Sequence, residues 1–371
     1  MRKIIRAILQ RIKFIFGRFP KLLVSLLKNR KLFDVSESYY PDLPHKTKLR
    51  VFIDQIRQII KWGAVEENYF LYGFDVKNFR NQDDYISFGY HLSLRNYLNN
   101  HPSRQEYSYT GVMRDKFYFS VFMESFGFKV PQSYGLSENG MLFRMEDKRS
   151  IPLEEMVSGD MHLIFKPIDG WCGEDIFEVR IIGSQIFCDN EEVTIEDLKN
   201  KTSRGKFFVQ YYIENQHPDM RALYPKAINS LRITTVRDVN SGKIEIMGCM
   251  LLMGAREAIV SNWHYGGVII NIEDNGYLNK YGYSFTEKRI VKHPDTGVVF
   301  ETFKVPFFEE AKDMAIRCHE MFYGIHSVGW DFAITVEGPV FIEANDNWGI
   351  AAHQMVGEGL ASKFNKYFLK H

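Results

Sequence analysis

Gly329-Trp330-Asp331-Phe332-Ala333-Ile334-Thr335-Val336-Glu337-Gly338-Pro339-Val340-Phe341-Ile342-Glu343-Ala344-Asn345-Asp346-Asn347-Trp348-Gly349 is the stretch around which the rest of the chain is organised. Two apolar runs flank Glu337-Gly338-Pro339, which predicts a β-hairpin. Successive side chains on a strand point to opposite faces, so Glu343 and Asn345, two apart, share one. Asp331 joins them if the turn is centred on Gly338; it then lies across from Asn345, and Ala333 across from Glu343. Two carboxylates and an amide oxygen on one face form a hard-oxygen site suited to Mg²⁺, which keeps waters and takes further ligands from substrate phosphates. A solvated hairpin with exposed polar side chains carries the same signature, so the remainder of the chain decides between the two.

Upstream of the hairpin, Phe308, Ala311, Met314, Ala315, Cys318, Met321 and Phe322 recur at helical spacing over 308–323. Asn229-Ser230-Leu231-Arg232-Ile233-Thr234-Thr235-Val236 alternates like a half-buried strand, with Arg232 on the face of Ser230 and Thr234. Arg256 follows, then Ser261-Asn262-Trp263-His264-Tyr265-Gly266-Gly267. Phe207-Phe208-Val209-Gln210-Tyr211-Tyr212-Ile213-Glu214 predicts a buried strand whose polar end offers backbone groups to a purine edge. Asp160–Pro167 predicts another, ending in Lys166, and the loop Asp169-Gly170-Trp171-Cys172-Gly173-Glu174-Asp175 leads on to the strand Ile176–Val179. A lysine leaving a strand into a two-glycine loop presents an ammonium and backbone N–H donors to polyphosphate. Glycine-bearing hairpins without that role are also common, and the strand–loop–helix nucleotide fingerprints are absent. Gly111-Val112-Met113-Arg114-Asp115-Lys116 opens a helix that runs through Phe117, Val121 and Phe122 to Gly127, with Pro131 soon after.

The 371 residues suffice for two or three domains with substantial cores. Ten basic residues and no acid precede Asp34, which leaves 37 basic against 46 acidic residues in the remainder. An acidic body with a basic head argues against a general nucleic-acid binder. Cys172, Cys188, Cys249 and Cys318 lack the spacing of a zinc site or a disulfide framework and suit a reducing compartment. No apolar run approaches the roughly 18 residues that cross a bilayer, and charges interrupt the apolar segments at the N-terminus as no ordinary secretory signal does. A cytoplasmic protein is expected.

Residues 1–33 space Ile5, Ile8, Ile12, Ile15, Phe19, Leu22, Leu23 and Leu26 as a helix with a cationic opposite face, interrupted at Pro20. Such a segment fits peripheral contact with an anionic membrane at the inner face of the cell membrane, or docking on the protein's own acidic body. Residues 34–110 read as a connector followed by a helical N-terminal domain, with helices around Phe52–Trp62 and Tyr85–Leu98. Residues 111–205 and 206–371 then divide the chemistry, the first holding the glycine loop and the second the metal site.

Taken in order, these pieces resemble the ATP-grasp superfamily from about residue 111 to 357. Within it they resemble the sugar-transfer-associated group found with polysaccharide biosynthesis, a likeness carried by Gln210-x-x-Ile213-x-x-Gln216-His217 and by Asn229-Ser230-Leu231-Arg232. The resemblance implies an α+β fold: two α+β subdomains with largely antiparallel sheets clamping ATP, preceded by a helical N-terminal region. It implies ATP and Mg²⁺ as cofactors, with Lys116 and Lys166 on the phosphates and Gly170, Trp171, Cys172 and Gly173 as a flexible loop over them. Gln210, Tyr211, Tyr212 and Ile213 look like the adenine hinge, Glu214 and Asp219 are candidates for the ribose, and Asp331, Glu343 and Asn345 look like the paired-Mg²⁺ ligands. Arg232, Arg256, Asn262 and His264 resemble residues that face the γ-phosphate or acyl phosphate in ligases that extend a protein or carrier with glutamate. His264 is either the acceptor of a proton from the incoming amine or a structural loop histidine. Gly329 stands where some relatives carry an arginine, so Arg232 or Arg256 takes over neutralisation of the oxyanion.

The expected activity is that of a carboxylate–amine ligase working through an acyl phosphate. Its expected substrates are an amino acid and a uronic-acid-type sugar carboxylate or glycan precursor, with no nucleic acid. A kinase of a sugar or lipid-linked glycan, and a nucleotide-binding scaffold without turnover, are the alternatives.

Overall fold

A computed structural model describes residues 17–100, 110–157, 159–168, 175–258, 261, 263 and 266–370. The chain forms two compact units. The first gathers the described residues up to Tyr97, the short segment Val239–Ser241 and the chain from Gly349 onward. The helix Lys48–Trp62 begins at Thr47, whose hydroxyl accepts from the Arg50 amide, and ends at Gly63 in the left-handed conformation that glycine reaches without strain. Its buried Asp54 is held by Lys46 at 2.9 Å and by the Tyr69 hydroxyl at 2.8 Å. The helix Phe19–Lys28 takes Pro20 in its first turn, where the missing N–H costs nothing. It buries Leu26 with Leu32 and Ile59, beside Phe52 and Ile56. The returning helix Ile350–Val356 is fastened by Gln354, whose side chain exchanges hydrogen bonds with the backbone of Ile86 at 2.8 and 2.9 Å. Among the described residues no helix is long and apolar enough to cross a membrane.

The second unit carries two sheets whose named strands all pair antiparallel. In chain order the first eight strands are β1 (Ser133–Glu138), β2 (Met141–Arg144), β3 (Ser150–Pro152), β4 (Met161–Pro167), β5 (Phe177–Ile182), β6 (Gln185–Cys188), β7 (Glu191–Val193) and β8 (Lys206–Tyr211). They form one sheet in the order β3-β2-β1-β8-β4-β5-β6-β7. The second sheet uses β9 (Ser230–Arg237), β10 (Ile244–Met253), β11 (Val268–Ile272), β12 (Leu278–Ser284), β13 (Lys288–Ile290), β14 (Ser327–Thr335) and β15 (Gly338–Asn345). Its order is β13-β12-β11-β10-β9-β14-β15.

Each sheet has its own core. Leu163, Phe165, Phe177, Val179, Phe207 and Val209 alternate inward on the first, which turns Ile164 and Lys166 to the other face. On the second, Leu231, Ile233, Trp330, Phe332 and Phe341 pack against Phe308, Ala311, Ala315 and Cys318 of the helix Phe308–Met321. That alternation is what turns Arg232 and Asp331 away from that core.

Candidate active site

The hairpin forms, with a different register from the one its sequence suggests. Thr335 pairs with Gly338, so Val336 and Glu337 make the turn, and Gly338 takes φ of 104°, a value that favours glycine. Continued without interruption, that pairing would set Ile342 across from Asp331 and turn Glu343 toward the core. A register shift between Asp331 and Phe332 makes Ile342 an extra residue, and Asp331 comes to lie across from Glu343, with Gly329 across from Asn345. The expected pairing of Asp331 with Asn345 is therefore corrected, as is that of Ala333, which faces Val340. The bulge does what a turn centred on Gly338 was expected to do: it puts the two carboxylates on one face.

On its other side β14 pairs with β9, and Arg232 lies directly across from Asp331. The guanidinium grips that carboxylate with two prongs, Nε to Oδ1 at 2.6 Å and a terminal nitrogen to Oδ2 at 2.5 Å. Asn345 donates from Nδ2 to Asp331 at 3.1 Å and to Glu343 at 2.9 Å. Asp331 is 4% exposed. Burial pushes its pKa up to about 7, against the pull of Arg232 and with the nearby Glu343 charge adding to the rise. Burial opposes the charge of Glu343 too, but hydrogen bonds from Asp331 and Asn345, with Arg232 and Lys116 nearby, hold its pKa below the usual carboxylate range.

Opposite this cluster lie the two lysines. Lys166, 7% exposed, donates to Gln210 Oε1 at 2.9 Å, and Gln210 donates onward to the Pro131 carbonyl at 3.0 Å. Burial lowers the Lys166 pKa to about 8; Glu343 works against that fall and Lys116 adds to it. Lys116 opens the helix Lys116–Ser125, capped by Asp115, whose carboxylate accepts from the amides of Phe117 and Tyr118. The expected single helix from Gly111 is thus two pieces, broken where Asp115 leaves helical geometry to act as that cap. Lys116, Lys166, Phe208, Gln210, Ile342 and Glu343 all line one cleft.

The residues expected at the adenine hinge follow from β8. The amide of Tyr211 donates to Gln132 and that of Tyr212 to His162, and Ile213 lies just past the strand. Glu214 is bound by His162, which also meets Glu178 at 2.8 Å and stacks on Tyr212 with ring centres 4.1 Å apart. Burial works against the His162 imidazolium, and the two carboxylates outweigh it, so its pKa stands above the ordinary value. Asp219 sits exposed in the first turn of the helix Pro218–Leu223, its amide donating to His217. Arg256 turns to other partners: its guanidinium pairs with Glu287 at 2.9 Å and its amide donates to Asp295. It does not join Arg232 at Asp331. Gly170, Trp171, Cys172, Gly173, Asn262 and His264 lie outside the described residues.

Sequence reasoning missed three residues here. Ile342 gave no sign of being the bulge, because it continues an apolar run. His162 is separated from Glu214 by 52 positions, and nothing local marks either as the other's partner. Arg114 reaches Asp346 from 232 positions away.

The donor set fits a divalent cation. Two carboxylates and an amide meet at one point, an oxygen-bearing set of the kind a divalent cation takes. Asp331, Glu343 and Asn345 are the residues that would hold Mg²⁺, Asn345 with its amide turned over so that the oxygen replaces the Nδ2 donor that faces the two carboxylates here.

Two antiparallel sheets, with Lys166 on one, the paired acids on the other and Lys116 at the start of a helix, match the ATP-grasp class. D-alanine–D-alanine ligase from Bacillus anthracis, complexed with ATP, is similar with 12% identity and a TM-score of 0.37, over 70% of this chain and 64% of that one. The biotin carboxylase domain of 2-oxoglutarate carboxylase from Hydrogenobacter thermophilus, in complex with MgADP, gives 15% and 0.40, over 70% and 46%. N5-carboxyaminoimidazole ribonucleotide synthetase from Thermotoga maritima gives 13% and 0.34, over 63% and 42%. The chain thus spans less than half the length of the latter two proteins. No curated protein matches it. The sequence model of the sugar-transfer-associated ATP-grasp family matches residues 95–367, and the chain belongs to that family.

Proposed function

We propose that the protein is an ATP-dependent carboxylate–amine ligase. It would join an amino acid and a uronic-acid-type sugar or glycan precursor in polysaccharide (capsule or O-antigen) biosynthesis. The observation that carries this reading is the cleft in which Lys116 and Lys166 face Glu343, with Asp331 and Arg232 beside it. A carboxylate is a poor electrophile, and phosphorylation by ATP makes it a good one. An acceptor oxygen attacks the γ-phosphorus and ADP leaves; an amine then attacks the acyl carbon and phosphate leaves. Phosphoryl transfer asks mainly for positioning and charge neutralisation. Lys116 and Lys166 supply cationic donors to the phosphates, and Gln210 holds Lys166 in place. Mg²⁺ held by Asp331, Glu343 and Asn345 would supply further charge neutralisation on the phosphates. Arg232 orients Asp331 and places positive charge beside Glu343.

One observation favours a second reading. Arg256, expected at the acyl phosphate, is engaged with Glu287 instead, which removes one cation from the second half-reaction. A kinase that phosphorylates a sugar or lipid-linked glycan and stops there needs no such group. ADP release measured across candidate carboxylates, with and without amines, tests the proposal. An amine-dependent amide product is expected. ADP with a phosphorylated product and no amine dependence would instead identify the kinase, and no substrate-dependent ADP would leave a scaffold.

A further inference from the structure

We propose that Arg114 is a positioning residue whose bond to Asp346 fixes Lys116 against the Glu343–Asn345 edge of the cleft, so that phosphate binding and divalent-cation binding reinforce one another. This rests on the ATP-site reading above. Arg114, Asp115 and Lys116 are consecutive and do three different things. Arg114 bonds Asp346 with two prongs, Nε to Oδ1 at 3.0 Å and a terminal nitrogen to Oδ2 at 2.7 Å. Asp115 caps the helix that follows, and Lys116 enters the cleft. The Lys116 amide also reaches the Ile168 carbonyl, one residue beyond the end of β4, the strand that carries Lys166. The start of this helix is therefore tied to both sheets, and Lys116 stands between the ties.

Asp346 is built to receive such a tie. It directly follows Asn345 and is 4% exposed, while its carbonyl accepts from the side chain of Asn99 at 3.1 Å. A planar fork on a buried carboxylate fixes both distance and orientation, which a lysine ammonium does not. Groups one step behind metal ligands commonly set the ligands' aim, and their loss lowers metal affinity by about tenfold or more. Here the same bond also sets the position of a phosphate-facing lysine. A displaced Arg114 would leave each half of the site able to bind alone and remove their mutual support.

The test uses the full chain and a non-hydrolysable β,γ-imido analogue of ATP, titrated calorimetrically in Mg²⁺ and in EDTA. The readout is the ratio of the two affinities, with thermal midpoints recorded alongside. Asp346→Asn and Arg114→Gln are expected to leave the EDTA affinity within about twofold and to cut the Mg²⁺ enhancement about tenfold, with Arg114→Lys between them and wild type. An unchanged enhancement in all three variants overturns the proposal. So does an equal fall in both affinities that tracks the thermal midpoint, the mark of a purely structural bond. Absence of nucleotide binding by the wild-type chain overturns the ATP-site reading itself, a separate failure.

Discussion

Replacing Arg232 by methionine tests the electrostatics of the cleft most severely. The substitution removes both prongs from Asp331, which is 4% exposed and lies across from a second carboxylate. With Arg232 in place the Asp331 pKa is about 7, so near pH 8 the carboxylate is mostly ionised and depends on that partner. Removing one member of a buried pair leaves the other charge desolvated, but with a pKa of about 7 Asp331 can take up a proton at pH 8 instead, which limits the loss to about 1.4 kcal/mol. A domain of roughly 150–250 residues loses about 2–4 °C of Tm per kcal/mol, so the sheet-bearing unit should melt about 3–6 °C lower. Differential scanning calorimetry at pH 8 without divalent cation is the assay. Arg232→Lys, which keeps the charge and loses the fork, should fall between. The double variant Arg232→Met/Asp331→Asn should recover most of the loss, since no buried charge remains. Mg²⁺ should raise the midpoint of Arg232→Met more than that of wild type. A midpoint within about 2 °C of wild type, or no recovery in the double variant, would refute the claim that Asp331 holds a buried charge paired to Arg232.

Three other outcomes are expected, the last concerning basic residues of the N-terminal segment that lie outside the described residues. The Lys166 pKa, lowered to about 8 by burial, must rise again when phosphates bind. Nucleotide affinity should then be flat below pH 8 and fall about tenfold per unit just above it, because binding takes up a proton there, and Lys166→Met should abolish the dependence. His319 is buried between the Thr235 hydroxyl at 2.7 Å and the Ile325 carbonyl at 3.2 Å, and burial lowers its pKa to about 3. The unfolded chain therefore binds a proton between pH 6.5 and 3 that the folded chain refuses, and about 2 kcal/mol of stability should be lost by pH 5. Denaturant titration should show that loss, and His319→Gln should flatten the acid limb. Replacing Arg2, Lys3, Arg6, Arg11 and Lys13 by glutamine should weaken binding to anionic vesicles while leaving Leu26 packed; unchanged vesicle binding would exclude membrane contact through this head.

Much of the fold was legible because its strands are apolar runs with clear ends. Asp160–Pro167 became Met161–Pro167, and Asn229–Val236 became Ser230–Arg237. The helix Phe308–Met321 appeared where its apolar spacing put it. What the sequence hid were relations between distant residues. Gly-Pro at 338–339 looks like the centre of a turn, but Gly338 sits at its edge and Val336-Glu337 forms it, a difference the Ile342 bulge then compensates. The grip of Arg232 on Asp331 spans 99 positions and exists only because β9 pairs with β14. The return of the C-terminal segment to the helical unit is likewise long-range, with Gln354 meeting the backbone of Ile86 and Phe364 and Phe368 packing on His91. Arg256 and Asn262 resembled catalytic groups by order along the chain, and order alone fixes no direction in space; Arg256 points to Glu287.

The most direct test is a crystal structure of the protein grown with Mn²⁺ and the β,γ-imido analogue of ATP. Anomalous scattering should place manganese among Asp331, Glu343 and Asn345, with the phosphate tail between that metal and the ammonium groups of Lys116 and Lys166. Manganese elsewhere, or a nucleotide whose phosphates avoid both lysines, would contradict the account.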